Sequence, residues 1–299
     1  MTNNYKPFLK WAGGKTNIID SIVKHIPEKM NNYHELFLGG GSVLIKVLEL
    51  QKNKNITIKK KIYAYDANEA LIKLYKNVQN NKEDLFKCIT KYLDEYKSID
   101  GTVVNRKPND IDEAKTSKES YYYWIRKQFN TIDKNSIEHS ALFLFINKTC
   151  FRGLYREGPN GFNVPYGHYK TTPTIIKKTD LDNISNLIKD VVFECCDYSN
   201  SIKKIKQKDF VYLDPPYVPE KKTSFVGYNL NGFNLENHKN LFQEILNLNK
   251  NKINFVLSNS KTELVLDSFK DYKMEDIIAK RAINSKNPES KVTEVIIYN

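Results

Sequence analysis

FVYLDPPY, Phe210 to Tyr217, sets four apolar residues against an acid, two prolines and an aromatic. An apolar run without polar alternation reads as a strand buried on both faces, as in parallel sheets. Proline cannot continue such a strand, so Asp214 stands at its carboxyl end, where open α/β sheets bind ligands. Upstream, Tyr33 to Leu38 is a short apolar run ending in Gly39, Gly40 and Gly41, and Ser42 to Leu50 reads as a helix. Ile62 to Tyr65 reads as a strand ending in Asp66, and Glu69 to Gln79 as a helix. Strand, glycine turn, helix, strand, acid is the order of a nucleotide-binding α/β unit. Three further strands are expected at Val191 to Cys196, ending near Asp197, at Asn254 to Leu257 and at Glu294 to Ile297, with a helix at Glu236 to Asn249.

Between residues 81 and 178 the rhythm changes. Helical patterns run from Asp84 to Tyr96, Ser120 to Asn130 and Ile137 to Cys150. The polar stretch Asp100 to Ser117 reads as a loop, and Arg152 to Pro173, rich in Gly, Pro and aromatics, as loop and hairpin. Residues 1–80 and 179–299 are therefore expected to build one sheet domain, with 81–178 an inserted, mainly helical lobe.

The chain of 299 residues is 40% hydrophobic and 27% charged, with a net charge of +12. Such a basic excess suits a polyanionic partner, although an abundance of Lys, Asn and Ile also follows from an AT-rich genome. There are 42 lysines and five arginines, Arg106, Arg126, Arg152, Arg156 and Arg281, two of them within FRGLYR, Phe151 to Arg156. Where Lys is the default cation, an Arg points to a need for a planar fork of donors. Cys88, Cys150, Cys195 and Cys196 form no CxxC pair and read as reduced and structural, with no zinc or other metal site. No apolar run is long enough to span a bilayer, and the first residues lack a signal-peptide core. A cytoplasmic protein is expected, or one in a host's intracellular compartment if viral. The oligomeric state stays open, a monomer being compatible.

FLKWAGGK (Phe8 to Lys15), ELFLGGGSV (Glu35 to Val43), NKTCFRGLYR (Asn147 to Arg156), GFNVPYGHYK (Gly161 to Lys170), FVYLDPPYVP (Phe210 to Pro219) and LSNS (Leu257 to Ser260) occur in this order. Together they resemble the Dam-like DNA adenine-N6 methyltransferases of the alpha group, over nearly the whole chain. The resemblance implies an α/β fold: a Rossmann-like methyltransferase sheet with helices on both faces and an inserted target-recognition lobe. It implies S-adenosyl-L-methionine as cofactor, bound by Trp11, Ala12, Gly13, Lys15, Phe37, Gly39, Gly41, Asp66, Asp197 and Asp214. It implies double-stranded DNA as partner, contacted by Lys10, Phe151, Arg152, Leu154, Arg156 and Pro165, with the target commonly the adenine of GATC. Two departures bear on the recognition sequence: Arg152 stands where relatives usually carry a small polar residue, and Asp100 to Ser117 is extended.

The chemistry accounts for the residue types. The amino nitrogen of adenine is a poor nucleophile because its lone pair is delocalised into the ring. Two acceptors, the Asp214 carboxylate and the Pro215 carbonyl, would hold its N–H bonds and free the lone pair for in-line transfer. Pro216 would stiffen the turn and Tyr217 stack on the base. Because the amino group lies inside the duplex, the base must be extruded. Phe151 would fill the vacated stack or else pack in the core, and Arg156 would read a guanine. Asp66 would bind ribose hydroxyls or cap the helix after it. Methylation of RNA and a catalytically silent DNA-binding relative are the competing expectations. The FRGLYR lobe argues against the first and the intact DPPY against the second.

Overall fold

A computed structural model of the chain describes residues 5–219, 233–280 and 291–299. Among these, seven strands form one sheet: β1 (Tyr33–Glu35), β2 (Ile62–Asp66), β3 (Val191–Cys195), β4 (Phe210–Leu213), β5 (Asn254–Ser260), β6 (Lys273–Lys280) and β7 (Lys291–Tyr298). Their spatial order is β3-β2-β1-β4-β5-β7-β6. β1 to β5 pair in parallel, and β7 runs antiparallel between β5 and β6. The order reverses between β1 and β4. The glycine turn after β1 and the DPPY turn after β4 thus leave neighbouring strand ends at the topological switch point, where such sheets bind ligands.

All four residues of β4 are buried, as its unbroken apolar run predicts. Val211, Leu213, Phe255, Leu257, Val295 and Ile297 pack with Leu241, Phe242, Ile245 and Leu248 from the helix Leu235–Lys250. This is the expected α/β sheet, mainly parallel and packed against helices. Two strand expectations change. β5 continues past the expected end at Leu257 through Ser258, Asn259 and Ser260, because Ser260 pairs with Glu294 of β7. β6 was not expected, because KMEDIIAK is too charged for a core strand; it is an edge strand held by its hairpin partner β7.

The chain divides into two compact units, Met1–Lys6, Gly14–Asn68 and Asp190–Asn299 in the first, and Pro7–Gly13 and Glu69–Lys189 in the second. The first holds the whole sheet. The expected limits at 80/81 and 178/179 therefore move to 68/69 and 189/190. The cause is packing within the second unit. Its helix Glu69–Asn80 contacts the helices Ile137–Thr149 and Lys178–Leu187. Asn77 Nδ2 donates to Ser140 Oγ at 2.8 Å, and Gln79 Nε2 to the Ile188 carbonyl at 2.8 Å. Ile137–Thr149, apolar on nearly every face, is buried along almost its full length, as the central helix of a bundle must be. Pro7–Gly13 joins this unit through Phe8, edge-on to Tyr75 at 5.2 Å, and through Lys10.

Candidate active site

In the sheet unit, Asp214 leaves the end of β4 and its Oδ2 lies 2.8 Å from Nζ of Lys15, a lysine only 5% exposed. The other oxygen, Oδ1, is buried and has no hydrogen-bond partner among the described residues. Burial pushes the Asp214 carboxyl up to about 6 against the opposing pull of Lys15, so it stays mainly ionised at neutral pH. A buried acceptor without a donor costs roughly 1–3 kcal/mol; such an atom is poised for a donor from outside. The Lys15 ammonium also lies 4.8 Å from the Tyr217 ring centroid, and the Tyr217 hydroxyl donates to Glu294 Oε2 at 2.9 Å. DPPY is therefore a tethered turn, with Asp214 aimed by an ion pair.

The glycine turn supplies open backbone. Gly39 and Gly41 have φ of +48° and +67°, a region that favours glycine. Gly41 precedes the helix Ser42–Lys52 and, as a glycine, offers its start no side-chain cap; the buried Glu35 carboxyl accepts the Leu44 N–H of the first turn. Ser42 Oγ accepts the Lys15 N–H at 3.1 Å. Asp66, at the end of β2, accepts from the Gly39 N–H through Oδ2 and from the Asn68 N–H through Oδ1, both at 2.9 Å. The carboxylate orders the chain before the next helix, with the Ala67 N–H as a third backbone donor. Burial raises its pKa. Asp197, at the end of β3, caps a short helix by accepting the Ser199 N–H at 2.9 Å and is exposed. Phe37 stacks on Tyr198 at 5.7 Å. Acids at the ends of β2 and β3 and a left-handed glycine turn place acceptors and open backbone at neighbouring strand ends, which suits a ligand bearing hydroxyls, and the orphaned Asp214 oxygen is open to an N–H donor.

The second unit gathers the residues expected to meet DNA. Asn147 grips the backbone of Lys10 from both sides, Oδ1 accepting the Lys10 N–H at 3.0 Å and Nδ2 donating to its carbonyl at 2.7 Å. The Lys10 ammonium donates to the Tyr169 hydroxyl at 3.2 Å. Gly153 has φ +66°, and a Cβ there would come within 2.3 Å of Lys10 Cβ, so only glycine fits beneath the lysine. Burial, with a smaller push from the neighbouring Lys10, brings the Lys148 ammonium down to about 8. Phe151 is 40% exposed, which rules out the core-packing expectation for it. The Arg152 guanidinium lies over the Phe151 ring at 5.2 Å, and its own φ is +55°. The Phe151 N–H donates to the Pro165 carbonyl at 2.8 Å, joining FRGLYR to NVPYG. Arg156 is exposed, with Nε donating to Asn163 Oδ1 at 2.6 Å; Leu154 is half-buried and Pro165 exposed. Trp11, Ala12 and Gly13 also belong to this unit, and Trp11 stacks on Tyr155 at 5.8 Å.

Sequence reasoning missed four residues of the first site. Glu35 is buried and accepts the Tyr33 hydroxyl at 2.7 Å; burial pushes its carboxyl up to about 8, with Asp214 adding to the rise. Glu294 anchors Tyr217, and Asn259 and Ser260 hold Val218. Glu35 lay within the quoted glycine motif and Asn259 and Ser260 within LSNS, so the signal was a motif without a role. Among the described residues no cluster of His, Cys, Asp or Glu could hold a metal ion, no helix is long and apolar enough to cross a membrane, and the four cysteines are free.

The sequence profile of the D12 class N6 adenine-specific DNA methyltransferases matches residues 11–283. The type II methyltransferase M.MjaIII of Methanocaldococcus jannaschii is 35% identical over 98% of this chain and 99% of its own length. The DNA adenine methylase of Haemophilus influenzae is 33% identical over 96% of this chain and 91% of its own. That of Escherichia coli K12 is 29% identical over 98% and 94%.

Proposed function

The chain belongs to the D12 class N6 adenine-specific DNA methyltransferases, and from that premise we propose that it methylates the adenine of GATC in double-stranded DNA after drawing that base out of the helix. Membership makes it an enzyme that methylates N6 of adenine in DNA with S-adenosyl-L-methionine as the methyl source. When bound, that cofactor supplies an electrophilic methyl group on a sulfonium, which departs as a neutral thioether.

The observation that carries the mechanism is the buried, unpartnered Oδ1 of Asp214 beside an Oδ2 neutralised by Lys15. Oδ1 accepts one N–H of the adenine amino group, and the Pro215 carbonyl accepts the other. The nitrogen lone pair is then directed at the methyl carbon. After transfer the nitrogen carries one proton too many, and a carboxylate with a pKa of about 6 takes it and passes it to water. Tyr217, tethered by Glu294, stacks on the base. Asp66, Asp197, Phe37, Gly39 and Gly41 bind the cofactor from the sheet unit. For Trp11, Ala12 and Gly13 the cofactor role rests on the resemblance alone.

The second unit recognises the site in this reading. Phe151, exposed and backed by the Arg152 guanidinium, fills the vacated stack. Arg156, already held by Asn163, pairs with O6 and N7 of a guanine, while Leu154 and Pro165 meet thymine methyls and Lys10 meets the polar edge or backbone. Base-resolved mapping of a methylated plasmid tests this: product confined to the adenine of GATC is expected. Methyl groups spread over other adenine contexts would overturn the recognition reading, and an unmethylated plasmid would overturn the mechanism.

A further inference from the structure

We propose that Asn259 and Ser260, at the end of β5, are positioning residues for methyl transfer: they grip both backbone polar groups of Val218 and thereby hold the DPPY turn in its working geometry. The inference rests on the reading that Asp214 Oδ1 and the Pro215 carbonyl hold the adenine amino group. Those two acceptors lie on a stretch that has left the sheet, since β4 ends at Leu213. Pro215 and Pro216 have no N–H with which to tie the turn down. Among the described residues, Val218 is the next whose backbone is held. Its N–H donates to Asn259 Oδ1 at 3.1 Å, and its carbonyl accepts from Ser260 Oγ at 2.6 Å. Asn259 Oδ1 also accepts the Ser260 N–H at 2.9 Å, so the two side chains form one unit on one strand end.

The arrangement is dry. Asn259 is fully buried, Ser260 is 2% exposed and Val218 is 6% exposed, so a lost bond is not replaced by water. The turn is thus fixed at both ends, at Leu213 by the sheet and at Val218 by the clamp, with the Tyr217 hydroxyl on Glu294 as a third tether. Asn259 is also an expensive residue for folding alone, because its Nδ2 is buried without a partner among the described residues. A side chain selected only for stability would not bury an unsatisfied donor. What the amide supplies is an acceptor at one place, able to fix a backbone N–H next to the catalytic turn. Transfer depends steeply on such placement, since a displacement of about 1 Å can cost on the order of a hundred-fold in rate.

Ser260→Ala, Asn259→Ala and Asp214→Ala, compared with wild type, test the proposal. Single-turnover methylation is followed with a duplex that the wild type methylates, both substrates saturating. Affinities for S-adenosylmethionine and for the duplex are measured separately, at a temperature where circular dichroism shows each variant folded. Ser260→Ala is expected to slow the transfer step about ten-fold while both affinities stay within about two-fold, the split that marks an interaction made in the transition state. Asn259→Ala should show the same split; should it fail to fold, Ser260→Ala alone decides. A transfer rate for Ser260→Ala within about two-fold of wild type, or a loss explained by weaker binding, overturns the clamp. Asp214→Ala separates the two ideas: near-normal turnover there overturns the underlying reading, whereas an inactive Asp214→Ala beside a normal Ser260→Ala overturns the clamp alone.

Discussion

Replacing Lys15 by Met removes the charge that holds Asp214 ionised and keeps an unbranched apolar stem of similar length. The ammonium lies 2.8 Å from Asp214 Oδ2. Burial alone drives this carboxyl upward, and Lys15 is the main force bringing it back to about 6. An opposite charge this close lowers a carboxyl pKa by about 1–3; taking about 2, the variant titrates near 8. If methyl transfer needs the ionised carboxylate, the rate rises with pH through the Asp214 pKa. At pH 7 the ionised fraction then falls from about nine-tenths to about one-tenth, a roughly ten-fold loss that returns by about pH 9. The assay is single-turnover methylation from about pH 5 to 9, with saturating S-adenosylmethionine to remove any effect of Lys15 on cofactor binding. An acid inflection left at the wild-type position would refute the reasoning. So would a loss that persists at high pH, because it would mean that Lys15 acts by something other than setting the charge of Asp214.

Glu35 carries a linkage of its own. Its folded pKa of about 8 lies above its ordinary 4.5, so the folded protein binds an extra proton between those values; this contribution is full below pH 4.5 and is lost as pH rises to about 8, by on the order of 5 kcal/mol at most. Glu35→Gln should remove that slope, and urea denaturation at about pH 5 and 8.5 checks it; parallel pH dependences for the two proteins count against it. Asp66→Ala should weaken S-adenosylmethionine binding by about 1–3 kcal/mol in calorimetry, and unchanged affinity returns Asp66 to ordering the Gly39 and Asn68 backbone alone. Arg156→Ala should cost about 1–3 kcal/mol on the cognate site and relax the choice at one guanine. Phe151→Ala should instead slow base extrusion with sequence preference intact, which product mapping of both variants distinguishes. Asn147→Ala should reduce DNA affinity in wild type but add little in a Lys10→Ala background, because it acts through Lys10; additive losses in the double-mutant cycle would contradict that.

Local chemistry wrote much of this protein into its sequence. FVYL is apolar without alternation because β4 is buried on both faces, and proline ended it at Asp214 in the sequence as in the fold. The glycine turn, the acids beyond β2 and β3, and the main helices were readable because each depends on neighbours in the chain: propensity, period and turn residues. The residue types of the candidate site were readable for the same reason, since a poor nucleophile calls for acceptors, and an acid beside two prolines supplies them. Tertiary structure alone decided what long-range partners decide. β6 is a strand because β7 pairs with it, not because KMEDIIAK prefers to be one. The helix Glu69–Asn80 and the segment Pro7–Gly13 joined the helical unit through Asn77, Phe8 and the Asn147 grip on Lys10. Lys15 met Asp214 across almost 200 positions, and the Val218 clamp joined residues more than 40 apart. The charge state of Asp214 was equally out of reach of the sequence, because a pKa is set by burial and by the nearest charges, and both come into being only when the chain has folded.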